Sequence, residues 1–391
     1  MRLLHTADWH VGKRLYGADR DDETRAVLAE VRDVAERERA DAVLVAGDLL
    51  DRRLVDPAAL GACLGALRAL AEVAPVVAIT GNHDDPDLWE HLAPYLEARR
   101  IHVAGRVRGA AEDAVRTIDT AAGPLHVAML PWLEPGRLDL PAGADVRAAR
   151  GTYADAVGAA VAVLAAELRR RREGAGGAAA LLGHLLVDGA AAGGGERELT
   201  LGIAYAVAPG AVPTDLDYLA LGHVHRPQGV PRSPAPGGYA GSPLALDFSE
   251  DAHAKSVTVA EVDPAAQTTT TRRVPLTAGR PLARIRGPLD ALPELAAAHT
   301  GAWLLCEVEL DAVHPDLVRE VRDLLPNALR IEPRYAAPAA PGEEDGATAA
   351  DGGRALPELY ADWHAERGVP LDPRQAAIFA EALGHSEADA P

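Results

Sequence analysis

In MRLLHTADWH, residues 1–10, a short apolar run at 2–5 leads into Asp8 and His10, two positions apart. The pattern recurs. AVLVAGDLLD (42–51) carries an apolar run into Asp48, VVAITGNHDD (76–85) into Asn82 and His83, AALLGH (179–184) into His184, and YLALGHVHRPQ (218–228) into His223 and His225. Between the first three runs, residues 22–39 and 57–72 show helical apolar spacing. Strands apolar on both faces, alternating with amphipathic helices, predict an α/β fold with buried strands. Further strands are expected at 125–130, 237–241 and 257–262, and a long helix at 152–172.

A chain of 391 residues, 48% of them apolar, is long enough for two or three domains. Aromatics reach only 4%, which disfavours an aromatic-lined single-strand binding module. Cys63 and Cys306 are the only cysteines, so neither a disulfide framework nor a thiolate zinc site is expected. Asp8 and His10 fall where a signal peptide needs an apolar run, and no stretch could span a bilayer; a cytoplasmic protein without membrane contact is expected. The net charge of −19 argues against binding nucleic acid by bulk electrostatics. DNA contact would then need local arginines, or metal ions that reverse the sign of an acidic pocket. The sole Gly-Lys pair, Gly12-Lys13, is followed by Arg14, so there is no Walker A loop and any ATP dependence would belong to a partner.

The spacing changes after residue 275. Strand, helix (290–298), strand (303–310), helix (315–325) and strand, beginning at LARIRG and ending at LRIEP, predict a small βαβαβ unit. The expected division is therefore 1–275, a small α+β domain at 276–335, a flexible Ala/Pro/Gly/acid linker at 336–353 and a helical tail at 354–391. The tail has apolar stripes at Leu356, Leu359, Tyr360 and Trp363, then Ala376, Ala377, Phe379, Ala380 and Leu383, too few for a domain of its own. Gly193–Gly195 reads as a flexible connection, and Arg169–Arg172 as a solvated helix end.

A single Asp-x-His or Gly-His is ordinarily structural, since a buried His or Asn usually satisfies a backbone group. Five such segments, all of ligand type, point to metal. A spacing of two places both members of a pair on one face of an extended segment. In α/β sheets the loops at the carboxyl ends of strands converge on the site. Carboxylate, amide and imidazole donors without thiolate suit Mn²⁺, with Mg²⁺, Fe²⁺ or Zn²⁺ as alternatives. His5 reads as a structural strand histidine and Trp9 as packing beneath the site. Lys13, Arg14, Arg52 and Arg53 would either touch DNA phosphates or form a solvated face.

DWHVG, AGDLLD, GNHD, LLGH and LGHVHRPQ, in this order, resemble the motifs of the calcineurin-like metallophosphoesterase superfamily. HTADWHVGKRLYG, ALGHVHRPQ and YAGSPLALDFSE (239–250) narrow the resemblance to its DNA-repair nucleases, which work as a subunit beside an SbcC-like SMC-type ATPase. The resemblance implies a metallophosphoesterase β-sandwich flanked by helices, with the small domain as a DNA-recognition cap and the tail docking on the ATPase. It implies one ion on Asp8, His10, Asp48 and His225 and a second on Asp48, Asn82, His184 and His223, with Asp48 bridging. Two such ions clamp a phosphate for in-line displacement. His83 resembles a catalytic residue rather than a ligand; Asp51 is the candidate to orient it, with Asp84 the rival and a turn cap the plain structural role for Asp51. The implied function is a Mn²⁺-dependent 3′–5′ exonuclease on double-stranded DNA ends and an endonuclease on single strands and hairpins. The same resemblance implies a nucleoid-associated homodimer; the sequence leaves open whether two copies pair through the helices near 57–72 and 87–98. A phosphodiesterase for a small phosphate ester is the alternative, and a scaffold whose chemistry has lapsed a third reading.

Overall fold

In the computed structural model, which describes residues 1–107, 110–134, 153–191, 206–250, 254–335, 360, 364, 371, 372, 374–376 and 379, the residues RLLHT and AVLVA form neighbouring parallel strands. These are β1 (Arg2–Thr6) and β2 (Ala42–Ala46), continued in register by β3 (Val76–Ile79) and β4 (Ile101–Ala104). A second sheet begins with the antiparallel pair β5 (Val115–Thr120) and β6 (Gly123–Leu130). It continues in parallel through β7 (Ala178–His184) and β8 (Tyr218–Gly222), and ends with β9 (Gln228–Gly229) beyond β10 (Gly237–Tyr239). β11 (Ser256–Asp263) and β12 (Thr268–Pro275) return antiparallel to the first sheet, beside β1.

Strand alternation assigns successive residues to two different cores. Leu4, Val43, Val45, Val76 and Ala78 pack under α1 (Asp21–Arg37), α2 (Pro57–Val73) and α3 (Pro86–Glu97). Leu3, Ala42, Leu44, Ala46, Val77 and Ile79 face Leu125, Val127, Ala180, Leu182 and Ala220 of the second sheet. The far side of that sheet is covered by α5 (Tyr153–Ala175), through Val157, Val161, Leu164 and Leu168; α4 (Ala111–Ala114) precedes β5. The result is a β-sandwich flanked by helices. Each fully buried Leu or Val contributes about 1.5–3 kcal/mol, which explains why these runs are apolar throughout.

A third sheet of parallel β13 (Leu282–Pro288), β14 (Trp303–Leu310) and β15 (Ala328–Tyr335) packs α6 (Leu292–Ala297) and α7 (Leu317–Leu324) over its own core of Ile285, Leu292, Leu304, Cys306 and Val321. Acids hold its arginines: Arg286 pairs with Glu309 at 2.9 Å, and Arg334 pairs with Glu307 and Glu332. The chain divides into two compact units, Met1–Tyr335 and Ala336–Pro391. In the second, the Tyr360 ring stacks on Phe379 with centroids 4.2 Å apart. The expected linker at 336–353, the glycines 193–195 and most of the two tail stripes lie outside the described residues.

The sequence reading omits β4, β5, β9 and β12, the edge strands of the two large sheets. Half of VRTIDT and most of TTTTRRVP are exposed, so neither carries the continuous apolar run by which a buried strand is found. Arg169 and Arg170 are exposed, as expected of a solvated helix end, and all four arginines of the run are also held by acidic residues or carbonyls. Arg169 pairs with Asp215 at 2.7 Å, Arg170 and Arg171 both hold Glu167 at 2.7 Å, and Arg172 donates to the Asp215 carbonyl. The carboxylate that holds two of them, Glu167, is buried. Among the described residues no helix is long and apolar enough to cross a membrane.

Candidate metal centre

Because β1, β2 and β3 run parallel, as do β6, β7 and β8, their carboxyl ends open on the same edge of the sandwich. Asp8, Asp48, Asn82 and His223 lie just past their strands, and His184 ends β7. The loops are tied to one another by main-chain bonds, Asp8 N–H to the Gly47 carbonyl (2.9 Å) and His10 N–H to the Asp48 carbonyl (3.0 Å). Asp8, His10, Asp48 and His223 all have left-handed backbones, with φ of 54°, 46°, 49° and 95°. Such conformations cost about 1–3 kcal/mol each in a non-glycine residue, and persist where the surroundings over-determine them. Two glycines make room. A Cβ on Gly47 would stand 2.3 Å from His184 Nδ1, and one on Gly81 2.1 Å from Asp48 Oδ1.

The side chains converge. Asp48 Oδ2 lies 3.5 Å from His10 Nε2 and 3.4 Å from His184 Nε2, while its Oδ1 accepts from the His83 N–H at 2.8 Å. Asn82 Oδ1 is 3.1 Å from both His184 Nε2 and His223 Nδ1. Candidate ligand atoms of Asp8, His10 and His225 lie within 4.8 Å of one another, as do those of Asp8, Asp48 and His184, and those of His10, Asp48 and His83. Asp8 Oδ2, His10 Nε2 and His223 Nε2 are buried without a hydrogen-bond partner. Buried polar atoms are nearly always paired, so this cluster of hard and borderline donors fits divalent cations.

Charge separates the imidazoles. Burial pushes His10 down to about 4 and His223 to about 3, so both rings are neutral at pH 7, the form that binds metal. Burial opposes charge on His184 too, but Asp48 and Asp8 outweigh it and hold that ring up at about 9. A cation would replace this proton. Asp48 is held well below the carboxylate range because His184 and His10 overcome its burial.

Neighbouring groups fix the rings. His184 Nδ1–H donates to the Ala46 carbonyl at 2.8 Å, turning Nε2 inward. His225 Nδ1 lies 2.9 Å from Glu250 Oε1, and the other Glu250 oxygen accepts from Lys255 Nζ at 2.6 Å. Burial opposes the Glu250 charge, but His225 and Lys255 prevail and bring its carboxyl down to about 2. Carboxylate–histidine pairs of this kind orient a metal-binding ring. Trp132 stacks on His223 with centroids 5.3 Å apart. Sequence reasoning assigned no role to Glu250, Lys255 or Trp132. The available signals were a glutamate closing YAGSPLALDFSE and a lysine that is one of only two in the chain.

His83 is not oriented by a carboxylate. Its Nδ1 lies 2.8 Å from the Asp51 main-chain carbonyl, while the Asp51 side chain lies 3.3 Å from both His10 Nδ1 and Lys13 Nζ. The Asp84 carboxylate accepts from the N–H groups of Leu49, Leu50 and Gly81, pinning the β2 and β3 loops together. Burial and the Asp48 charge push Asp84 up to about 7. Of the four basic candidates, Lys13 and Arg52 pair with Asp51, Arg53 with Glu134 at 2.9 Å, and Arg14 bonds the Gly17 carbonyl. Trp9 is buried and donates to Thr6 Oγ1, and His5 is buried against Tyr218 Oη at 3.0 Å.

The sandwich and its clustered donors define a phosphoesterase, and the chain belongs to the calcineurin-like phosphoesterase family, whose sequence profile matches residues 1–227. A second profile, the type 5 capsule protein repressor C-terminal domain, matches residues 278–358. The chain is 33% identical to the SbcD subunit of the SbcCD nuclease of Bacillus subtilis (strain 168) over 347 residues, 86% of each chain. It is 34% identical to the protein of that name from Rhodobacter capsulatus, over 76% of this chain and 75% of the relative. A dimetal phosphatase structure from Danio rerio aligns with 71% of this chain and 98% of its own, at 14% identity and a TM-score of 0.44.

Proposed function

We propose that this chain is a dimetal DNA nuclease of the SbcCD type, a 3′–5′ exonuclease on double-stranded ends and an endonuclease on single strands and hairpins. It would act with an SbcC-like SMC-type ATPase in DNA-end processing at the nucleoid. The observation that carries the reading is the set of buried, unpartnered ligand atoms on Asp8, His10 and His223 around the Asp48 carboxylate, in a chain similar over most of its length to proteins named as nuclease subunits. Asp8, His10, Asp48 and His225 would hold one divalent ion and Asp48, Asn82, His184 and His223 the other. Bound there, two such ions would polarise a phosphodiester and lower the pKa of water. Two dications against two carboxylates leave a cationic pocket, which attracts a phosphodiester to a chain of net charge −19.

His83 would act directly on substrate. With Nδ1–H donating to the Asp51 carbonyl, Nε2 carries a proton only in the imidazolium form. That form stabilises charge on the attacked phosphate or protonates the departing 3′ oxygen. Asp51 would serve as a positioning group, through its carbonyl for His83 and its carboxylate for His10. The unit at 276–335 would form the DNA-recognition cap of the 1–275 nuclease domain. Two copies would pair through α2 and α3, near which Leu54 and Tyr95 are 92% and 77% exposed. The test is purified protein with Mn²⁺ on end-labelled duplex and hairpin DNA, beside bis-p-nitrophenyl phosphate. Cleavage of the small diester alone would favour an enzyme of small phosphate esters.

Metal preference follows from the donors. Mg²⁺ prefers oxygen ligands and keeps its waters, whereas this site offers four imidazoles. Hydrolysis should be faster in Mn²⁺ than in Mg²⁺ by about tenfold or more at equal micromolar metal. Equal rates in a metal series at fixed pH would count against the ligand set.

The tail can be separated from the chemistry, because every proposed ligand precedes Arg226. Deleting residues 354–391, beyond the 336–353 linker, should leave Mn²⁺-dependent hydrolysis of the small diester intact. Co-purification with the ATPase and ATP stimulation on duplex DNA should both be lost. Unchanged affinity of the truncated protein for the ATPase would put that contact elsewhere.

A further inference from the structure

The Glu250 carboxylate that orients His225 belongs to a short turn, Phe248–Glu250, which meets the third sheet through the Phe248 ring and through a polar link centred on Tyr16. Asp247 caps the turn: its Oδ1 accepts from Ser249 N–H at 2.9 Å, and its carbonyl accepts from Glu250 N–H at 3.0 Å. The other Asp247 carboxylate oxygen, Oδ2, accepts from Tyr16 Oη–H at 2.8 Å. That same phenol oxygen accepts from Arg330 Nη1 of β15 at 2.7 Å, with the guanidinium 5.2 Å from the ring centroid. Tyr16 also packs on Phe248, centroids 5.6 Å apart, and Phe248 joins Leu15, Leu282 and Leu305 in a small core shared by the sandwich and the third sheet.

Tyr16 lies six residues past His10 and has a left-handed backbone, φ 50°. One residue thus touches the loop that carries Asp8 and His10, the turn that holds His225, and a strand of the third sheet. The phenol hydroxyl can donate once and accept from Arg330 at the same time, which a phenylalanine cannot do. Tyr16 is 40% exposed and its apolar contact with Phe248 needs only carbon, so what the hydroxyl adds is its pair of hydrogen bonds to Asp247 and Arg330.

We propose that Tyr16 is a positioning residue for the first-ion ligands, holding the Glu250 turn, and through it His225, in a place set by Arg330 of the third sheet. The proposal rests on the metal-site reading above. Groups that orient a metal-binding histidine commonly change affinity by about 10–100-fold when removed, and a more remote link should have a smaller effect.

The experiment is Mn²⁺ titration of EDTA-treated, dialysed full-length protein by calorimetry, with bis-p-nitrophenyl phosphate hydrolysis against Mn²⁺ concentration. In Tyr16→Phe one Mn²⁺ Kd should rise roughly five- to tenfold and the other stay unchanged, with hydrolysis recovering at excess Mn²⁺ and the melting temperature unmoved. Arg330→Ala should reproduce this shift, and Arg330→Lys, which keeps a donor to the phenol oxygen, should largely restore the wild-type curve. Wild-type affinities in both Tyr16→Phe and Arg330→Ala would overturn the proposal. So would an equal weakening of both ions together with a lowered melting temperature, the mark of a general packing role. A wild-type protein that binds no Mn²⁺ would instead defeat the metal-site reading.

Discussion

Asp48→Ala is expected to lower DNA hydrolysis by at least about 10³-fold, equivalent to about 4 kcal/mol of transition-state stabilisation, and to reduce bound metal at both positions. The Asp48 carboxylate lies within 3.5 Å of ring nitrogens on both sides of the cluster, His10 and His184. It also accepts the His83 N–H. Its loss removes the shared donor, releases the His83 loop and leaves His184 without the charge that now holds its proton. Metal content by elemental analysis and rates on end-labelled duplex are the measurements. Full occupancy of both ions in Asp48→Ala would show that Asp48 does not bridge them.

His83→Ala is expected to behave oppositely with respect to metal. Activity should fall about 10²–10⁴-fold, the range for removal of a general acid, while both ions remain bound. His83 is only half-buried, and its Nδ1 is committed to the Asp51 carbonyl rather than turned to the cluster. The rate deficit should lie in kcat, since an interaction made in the transition state is being removed. Loss of both ions from His83→Ala would make His83 a ligand and undo its catalytic role.

These two variants also bear on how much was legible in the chain. The strands that present the site were readable because burial on both faces demands unbroken apolar runs, and β2, β7 and β8 are buried at every position. Edge strands lack that demand, and β12 is nearly all exposed. Asp51 was legible as the residue beside His83, but the atom that meets the ring was not. A sequence displays the carboxylate of Asp51 and hides its carbonyl, and it is the carbonyl that meets His83.

By itself the sequence determined which Asp, Asn and His residues are candidate donors and their order along the chain, since such a residue at the end of an apolar run is a local pattern. That also determined the class of ion such donors favour. Only the tertiary structure decided which donors share a pocket and what orients them. His184 is set by the Ala46 carbonyl 138 residues away, and Asp8 Oδ1 accepts from His223 N–H across 215 residues. Glu250 reaches His225 only because the chain folds back after β10. Apolar periodicity encodes the face a residue presents and not the distant residue it meets. Those meetings arise from the parallel stacking of two sheets, whose shared edge gathers five loops and imposes left-handed backbones on four of the residues they carry.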